Sequence, residues 1–163
     1  MKLNEVIAKY GNQEVDESKI KEVLGVKESK VWKPINHQRL FSILHDGTIG
    51  NTIWNSSPYC KTAYEIGNCY ETKEEAEFAR DKQIFLTKFE RYLRENEDEP
   101  VDWGNEIQEK YYLYINSNTE TVSPSSLCYM HFQGTIYTTS LEALQAFIKD
   151  NEADIKKYMF GVE

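Results

Sequence analysis

The chain has 163 residues, a formal net charge of −8, and 40% hydrophobic with 13% aromatic residues. This length corresponds to one domain with room for a small appendage, and the apolar content is enough for a packed core rather than a disordered chain. The excess of acidic residues argues against general binding to phosphate backbones, so we expect no direct nucleic-acid partner.

Neither a membrane partner nor secretion is expected. No apolar run approaches the roughly 18 residues that a membrane span requires, and the N-terminus lacks the apolar core of a signal peptide. Three cysteines, an odd number, do not favour a disulfide framework. These features predict a protein of the reducing cytoplasm.

Residues 1–26 predict a small helical appendage. Two amphipathic stretches, LNEVIAKYG and VDESKIKEVLG, each end at a glycine. A DNA-binding helix-turn-helix is the alternative, but residues 1–30 hold six acids and six bases without a basic cluster. Residues 27–34 follow as a linker, because Pro34 disfavours helix at the residue before it.

Residues 35–96 predict the first strand–helix unit of an α+β domain that spans residues 35–163. Asp46-Gly47 between two β-rich runs indicates a hairpin, and AYEIGNCY (residues 63–70) reads as a further strand. Thr72 and Glu75 have capping-box spacing, so a helix should run from about residue 73 to about residue 95. Its expected core face is Ala76, Ala79, Phe85, Leu86, Phe89, Tyr92 and Leu93.

Residues 110–163 predict the second unit. KYYLYI and SLCYMHF read as strands, and TIY reads as a short one. Thr139 and Glu142 form a second capping-box pattern, which predicts a helix from about residue 140 to about residue 150. The final turn, ADIKKYMF, should dock through Ile155, Tyr158, Met159 and Phe160.

The two units contain a repeated stretch. EIGNCYETKEEAEFA (residues 65–79) and FQGTIYTTSLEALQA (residues 132–146) match at Tyr70 and Tyr137, at Thr72 and Thr139, and at two alanines three residues apart. Small residues at that spacing let a helix lie close to a sheet. The pattern predicts an α+β fold of antiparallel β-hairpins, each followed by a capped helix, and is compatible with an internal duplication.

Three stretches, GNCYETKEEAEFA, GTIYTTSLEALQAFIK and IKKYMFGVE, resemble a widespread family of small proteins encoded by phages and prophages of Gram-positive bacteria. Typical members share a Trp-Lys-Pro start, an Asp-Gly hairpin, an IGN-aromatic-TKEEAE helix start and a KKY-aromatic-FGVE terminus, here at residues 32–34, 46–47, 66–77 and 156–163. The resemblance covers nearly the whole chain, although NSSPYCK has no clear counterpart. It implies an accessory viral protein acting in the cytoplasm of an infected bacterial host, and it implies no catalytic residue.

The residues offer little support for a metal site or an enzyme. The candidate ligands are Cys60, Cys69, Cys128 and His131. The last two have a spacing that can form half of a zinc site, whereas the C-x8-C spacing of the first pair is unusual. No histidine lies in a recognised catalytic context, and no Gly-rich phosphate loop is present. We therefore expect no metal, no cofactor and no enzymatic activity.

The charge distribution points to residues 95–109, here called the acidic segment. Residues 65–109 hold fourteen acids and six bases, a net charge of −8 that equals the charge of the whole protein. A solvated surface is one interpretation. The other is a partner-binding surface that imitates a phosphate track, with Trp103 as an apolar anchor. Its candidate residues are Glu95, Glu97, Asp98, Glu99, Asp102, Trp103, Glu106 and Glu109.

Two functional hypotheses follow. The first is an accessory protein that binds a bacterial host protein with a basic groove and inhibits a defence nuclease, of the anti-CRISPR or anti-restriction type. The alternative is a nucleic-acid-binding or virion-associated module that uses its Tyr-rich hairpins as stacking surfaces.

Overall fold

The computed structural model describes residues 31–162. The chain divides into two compact units, Met1–Ile35 and Asn36–Glu163, and all the elements below belong to the second. The predicted appendage at residues 1–26 and the first part of the linker lie outside the described residues. Within residues 31–162, no helix is long and apolar enough to cross a membrane.

The larger unit is an α+β fold of two antiparallel hairpins, each followed by a long capped helix, which confirms the predicted class and order. The elements are β1 (Arg39–Ile43), β2 (Ile49–Ile53), α1 (Pro58–Glu65), α2 (Lys73–Asn96), β3 (Lys110–Asn116), β4 (Thr121–Leu127), α3 (Leu141–Ile155) and a π-helical turn (Lys156–Phe160). β1 pairs with β2 and β3 pairs with β4, so each sheet has two strands.

The first hairpin forms at the predicted Asp-Gly turn. Gly47 has a positive φ of 81°, a conformation that glycine adopts without steric cost. The Thr48 N–H donates to Asp46 Oδ1 at 3.0 Å and the Thr48 hydroxyl donates to the same oxygen at 2.7 Å. These bonds, the backbone one above all, hold the pKa of Asp46 below its usual value.

The predicted capping box at the start of α2 is confirmed. The Glu75 N–H donates to Thr72 Oγ1 at 3.1 Å, and the Thr72 N–H donates to Glu75 Oε2 at 3.1 Å. The helix then continues to Asn96 and buries Ala76, Phe85, Phe89 and Leu93, all four from the predicted core face.

The prediction of a strand over residues 63–70 is wrong. Residues 58–65 form α1 instead, because Ser57 caps the helix by accepting a hydrogen bond from the Cys60 N–H and Pro58 occupies its first turn. The backbone of Tyr70 pairs with the hairpin through two bonds to Phe41, and the Asn68 side-chain amide makes two more bonds to the Ile43 backbone. The stretch NSSPYCK is therefore a helix start.

The second hairpin also differs from its prediction. β4 ends at Leu127, so SLCYMHF is not a strand, and residues 128–137 follow an irregular path. The strand covers TVSPSSL instead, with Pro124 opposite Leu113. A proline is tolerated here because both strands of a two-stranded sheet are edge strands. TIY is not a strand either, and only Thr138 pairs with Tyr111.

The second cap lies one residue later than predicted. Ser140, not Thr139, caps α3 by accepting a hydrogen bond from the Ala143 N–H at 3.3 Å. The helix extends to Ile155, five residues beyond its predicted end. It contains a kink at Asn151 and continues into the π-helical turn, whose C-cap residue is Gly161 with a φ of 66°.

The two halves repeat the same order of hairpin, backbone pairing and capped helix, but their equivalent residues are not the ones that the sequence match aligns. In both halves the residue two positions before the N-cap, Tyr70 or Thr138, pairs with the first strand of its hairpin. The caps Thr72 and Ser140 are thus equivalent, one residue out of register with the sequence match. The completely buried Ala76 then corresponds to the completely buried Leu144.

One hydrophobic core joins the two halves. Rings from α2 and α3 meet in it, with the Phe89 and Phe147 centroids 4.7 Å apart. Its buried residues are Phe85, Phe89, Leu93, Leu113, Val122, Ala143, Leu144, Phe147 and Ile155. Tyr158, Met159 and Phe160 pack against this cluster, as predicted for the C-terminal turn.

Candidate functional site

The acidic segment begins at the end of α2 and is tied to the start of α3. Glu95 lies in the last helical turn, Glu97 is the C-cap residue, and Asp98 is exposed. Acidic groups beyond a helix C-terminus are electrostatically unfavourable. The chain is nevertheless held there, because the Thr139 hydroxyl donates to the Glu99 carbonyl oxygen at 2.6 Å.

A buried amide organises the middle of the segment. The Gln108 Nε2 group donates to Glu99 Oε1 at 2.9 Å and to the Pro100 carbonyl at 3.1 Å, while Gln108 Oε1 accepts from the Asp102 N–H at 2.7 Å. The nitrogen and the oxygen of the Gln108 amide therefore both bond earlier residues of the segment and hold it in a closed loop. Further along the segment, Asn105 Oδ1 accepts from the Ile107 N–H.

A buried lysine joins the segment to the second hairpin. Lys110, the first residue of β3, is 0% exposed. Its ammonium group donates to the carbonyl oxygens of Asn105, Gln108 and Cys128 at 2.9, 2.9 and 3.0 Å. The Nζ atom also lies 5.3 Å from the centroid of the Trp103 ring, within cation–π range. Lys110 therefore binds the segment to the end of β4.

Trp103 packs against residues that follow β4. Its ring stacks on His131 with centroids 4.4 Å apart, and it meets the Tyr137 ring edge-on at 5.0 Å. The Tyr137 hydroxyl in turn accepts a hydrogen bond from the Phe132 N–H at 2.8 Å. Trp103 pins the loop in this way and still leaves 40% of its surface exposed.

The carboxylates of the segment divide into two groups. Glu99, Asp102 and Glu109 accept hydrogen bonds within the protein, from Gln108, the Gly104 N–H and the Tyr111 hydroxyl. The bond to Glu109 raises the pKa of Tyr111. In the described part of the chain, the side chains of the second group make no hydrogen bond or ion pair. These are Glu95, Glu97, Asp98 and Glu106.

The structure brings three of the candidate carboxylates around one shallow pocket of about 320 Å³. Its lining residues are Asp98, Glu99, Gln108, Glu109, Tyr111 and Thr139. Glu95 lies elsewhere, in a groove of about 640 Å³ between α2 and the turn of the first hairpin, beside Arg91 and Lys88. The predicted surface thus separates into a loop of clustered acids and one acid with basic neighbours.

Sequence reasoning missed the residues that hold the segment in place. Gln108, Lys110 and Thr139 do this through hydrogen bonds, and His131 and Tyr137 do so through ring contacts. One signal was available, since Lys110 is the first basic residue after Arg94 and directly follows the acidic run. The partners that it binds could not be identified from its position in the sequence.

The four candidate metal ligands lie in two different parts of the fold. Cys60 is buried beside the first hairpin, where its Sγ donates to Asn55 Oδ1 at 3.3 Å. Burial raises the pKa of the Cys69 thiol, with a smaller contribution from Cys60. Cys128 and His131 adjoin Lys110 and Trp103 instead. Among residues 31–162, no three His, Cys, Asp or Glu side chains are grouped so that they could hold a metal ion.

No protein-family model, no curated protein and no solved structure matches this chain. The surface geometry is therefore the basis for assigning a function.

Proposed function

We propose that this protein is a phage or prophage accessory protein that binds a basic groove on a bacterial defence nuclease through the acidic segment and inhibits it. The observation that carries the proposal is the combination of a fixed backbone with exposed carboxylates. Lys110, Gln108 and Trp103 hold the loop, while Asp98 and Glu106 remain exposed without partners in the described chain.

This combination favours binding for two physical reasons. A loop that is already ordered loses little conformational entropy on association. Carboxylates on a protein of net charge −8 also attract a basic groove over several ångströms, which speeds encounter at low salt and weakens as ions screen it. The resemblance to phage and prophage proteins is the reason for proposing that the partner is met in the cytoplasm of a bacterial host.

The alternative, stacking of nucleic-acid bases on the tyrosines of β3, has less support. Tyr112 already packs against the rings of Phe132 and Tyr137. Tyr111 donates its hydroxyl to Glu109, which places a carboxylate beside the surface that a phosphate backbone would have to approach.

The test is a DNA-cleavage assay with a panel of purified CRISPR effectors and restriction endonucleases from Gram-positive bacteria. The wild-type protein should inhibit at least one of them. Combined substitution of Glu97→Lys, Asp98→Lys and Glu106→Lys should abolish that inhibition, because it reverses three charges whose side chains make no bond in the described fold.

The matched control reverses three charges away from the segment, at Glu120, Asp150 and Asp154, all of them exposed. It changes the net charge by the same amount as the first variant. Because its three residues lie outside the acidic segment, it should retain inhibition. Equal inhibition by both triple variants would refute a role for the acidic segment. Retardation of single-stranded DNA or RNA in a low-salt gel shift would favour the alternative function.

A further inference from the structure

Apolar side chains are exposed next to the acidic segment. Ile107 within the segment is 89% exposed, and Tyr129, Met130 and Phe132 after β4 are 78%, 48% and 45% exposed. Large apolar side chains that cluster on a surface mark sites of protein interaction, whereas isolated ones need no explanation.

These side chains belong to one surface. Lys110 donates to the Asn105 and Gln108 carbonyls on either side of Ile107 and to the Cys128 carbonyl next to Tyr129. The stacked rings of Trp103 and His131 form a second connection between the same two stretches. Residues 103–107 and 129–132 are thus held side by side, and we call them together the aromatic face.

The composition of the aromatic face is that of an interaction hot spot. Trp, Tyr, Phe and Met are enriched at the centres of protein interfaces, where they contribute large contact areas. Four aromatic rings pack against one another and limit the movement of this surface. They belong to Trp103, His131, Tyr137 and Tyr112. Two exposed carboxylates accompany these apolar residues in the chain, Asp102 before Trp103 and Glu106 before Ile107.

We propose that the aromatic face is the docking site for an arginine-containing, partly apolar segment of the protein partner. Charge complementarity with the Asp102 and Glu106 carboxylates requires a basic occupant. Arginine fits better than lysine because its planar guanidinium can stack on an aromatic ring while it bonds a carboxylate. This inference rests on the proposed function in that it specifies the partner chemistry for the same side of the molecule.

The test uses three fluorescein-labelled nonapeptides of equal charge as probes, with alternating Arg/Leu, Lys/Leu or Arg/Ser residues. Binding to the full chain is measured by fluorescence anisotropy. The Arg/Leu peptide should bind about fivefold more tightly than the Lys/Leu peptide, as expected from ring stacking at an exposed site. The Arg/Ser peptide should bind more weakly than the Arg/Leu peptide because it lacks apolar contacts.

The variant Tyr129→Ser/Met130→Ser should lose the preference for Arg/Leu. Neither side chain makes a hydrogen bond or ring contact in the described structure, so the fold should be retained. The control Tyr59→Ser/Ile84→Ser removes a similar exposed pair elsewhere and should bind like the wild type. Equal affinity for the Arg/Leu and Lys/Leu peptides, or unchanged binding by the first variant, would overturn the inference.

The same variants separate this inference from the proposed function in the nuclease assay. Loss of inhibition with Tyr129→Ser/Met130→Ser supports the aromatic face. If only reversal of the acidic charges abolishes inhibition, the proposed function stands and the aromatic face is rejected. If the peptide binds as expected but no nuclease is inhibited, the docking site is supported and the proposal that the partner is a nuclease is rejected.

Discussion

At the scale of single residues, Lys110 has the largest organising role in the candidate surface. A buried ammonium is costly unless its donors are satisfied, and here three carbonyl oxygens accept from it. Those carbonyls belong to the acidic segment and to the end of β4. One side chain therefore determines both where the carboxylates stand and where the aromatic face begins.

Replacement of Lys110 by methionine should lower the free energy of unfolding by about 2 kcal/mol, because three carbonyls, one of them buried, lose their charged donor. Urea denaturation followed by circular dichroism measures this change. The exposed Lys149→Met is the control and should behave like the wild type. Equal stability of the two variants would contradict the role assigned to Lys110.

At the scale of elements, the two helix starts look equivalent in sequence and differ in structure. Thr72 and Glu75 form a capping box, but in the second half the matching Thr139 hydroxyl donates to the Glu99 carbonyl instead. Ser140 then becomes the cap, and α3 starts one residue later than the sequence match implies. A tertiary contact has overridden a local capping preference.

Ser140→Ala should lower the free energy of unfolding by about 1 kcal/mol, the usual cost of a lost N-cap. It should also accelerate hydrogen exchange at the Ala143 amide, which the Ser140 hydroxyl accepts from. Thr139→Val should leave that amide protected and loosen the chain at Glu99. If the Ala143 amide exchanged faster in the Thr139 variant and not in the Ser140 variant, Thr139 would be the N-cap, as predicted from the sequence.

At the scale of the whole molecule, α2 of the first half and β3, β4 and α3 of the second half share one hydrophobic cluster, whereas the buried Leu40 of the first hairpin lies outside it. Phe89 of α2 is completely buried and contacts Phe147 of α3. Each half also carries the same backbone pairing ahead of its helix, Phe41 with Tyr70 and Tyr111 with Thr138. The two pairings provide matched probes of whether the halves unfold together.

Phe89→Ala should reduce the free energy of unfolding by about 4 kcal/mol, since it removes a fully buried ring between the halves. The exposed Phe78→Ala should cost about 1 kcal/mol. Hydrogen exchange at the Phe41 and Tyr111 amides should accelerate by the same factor in the Phe89 variant. Acceleration at only one amide would show that the halves unfold separately.

The sequence by itself determined the features whose signals lie within a few residues. Asp46-Gly47 specifies a turn, Thr72 and Glu75 specify a helix start, and the apolar period of α2 specifies its buried face, because each depends on short-range geometry. Ser57-Pro58 was an equally local signal for α1, and the strand-like residues after it concealed it.

Only the tertiary structure decided how the candidate surface is arranged. The bond between Thr139 and Glu99 joins residues 40 positions apart, and the bond between Lys110 and Cys128 joins residues 18 positions apart. No local pattern encodes such pairs. The first forms because the start of α3 lies beside the chain that leaves α2, and the second forms because the β3–β4 register places Lys110 opposite Leu127. The acidic composition of the segment was therefore visible in the sequence. Its fixed backbone and the neighbouring aromatic face were not, because both depend on contacts between residues distant in the chain.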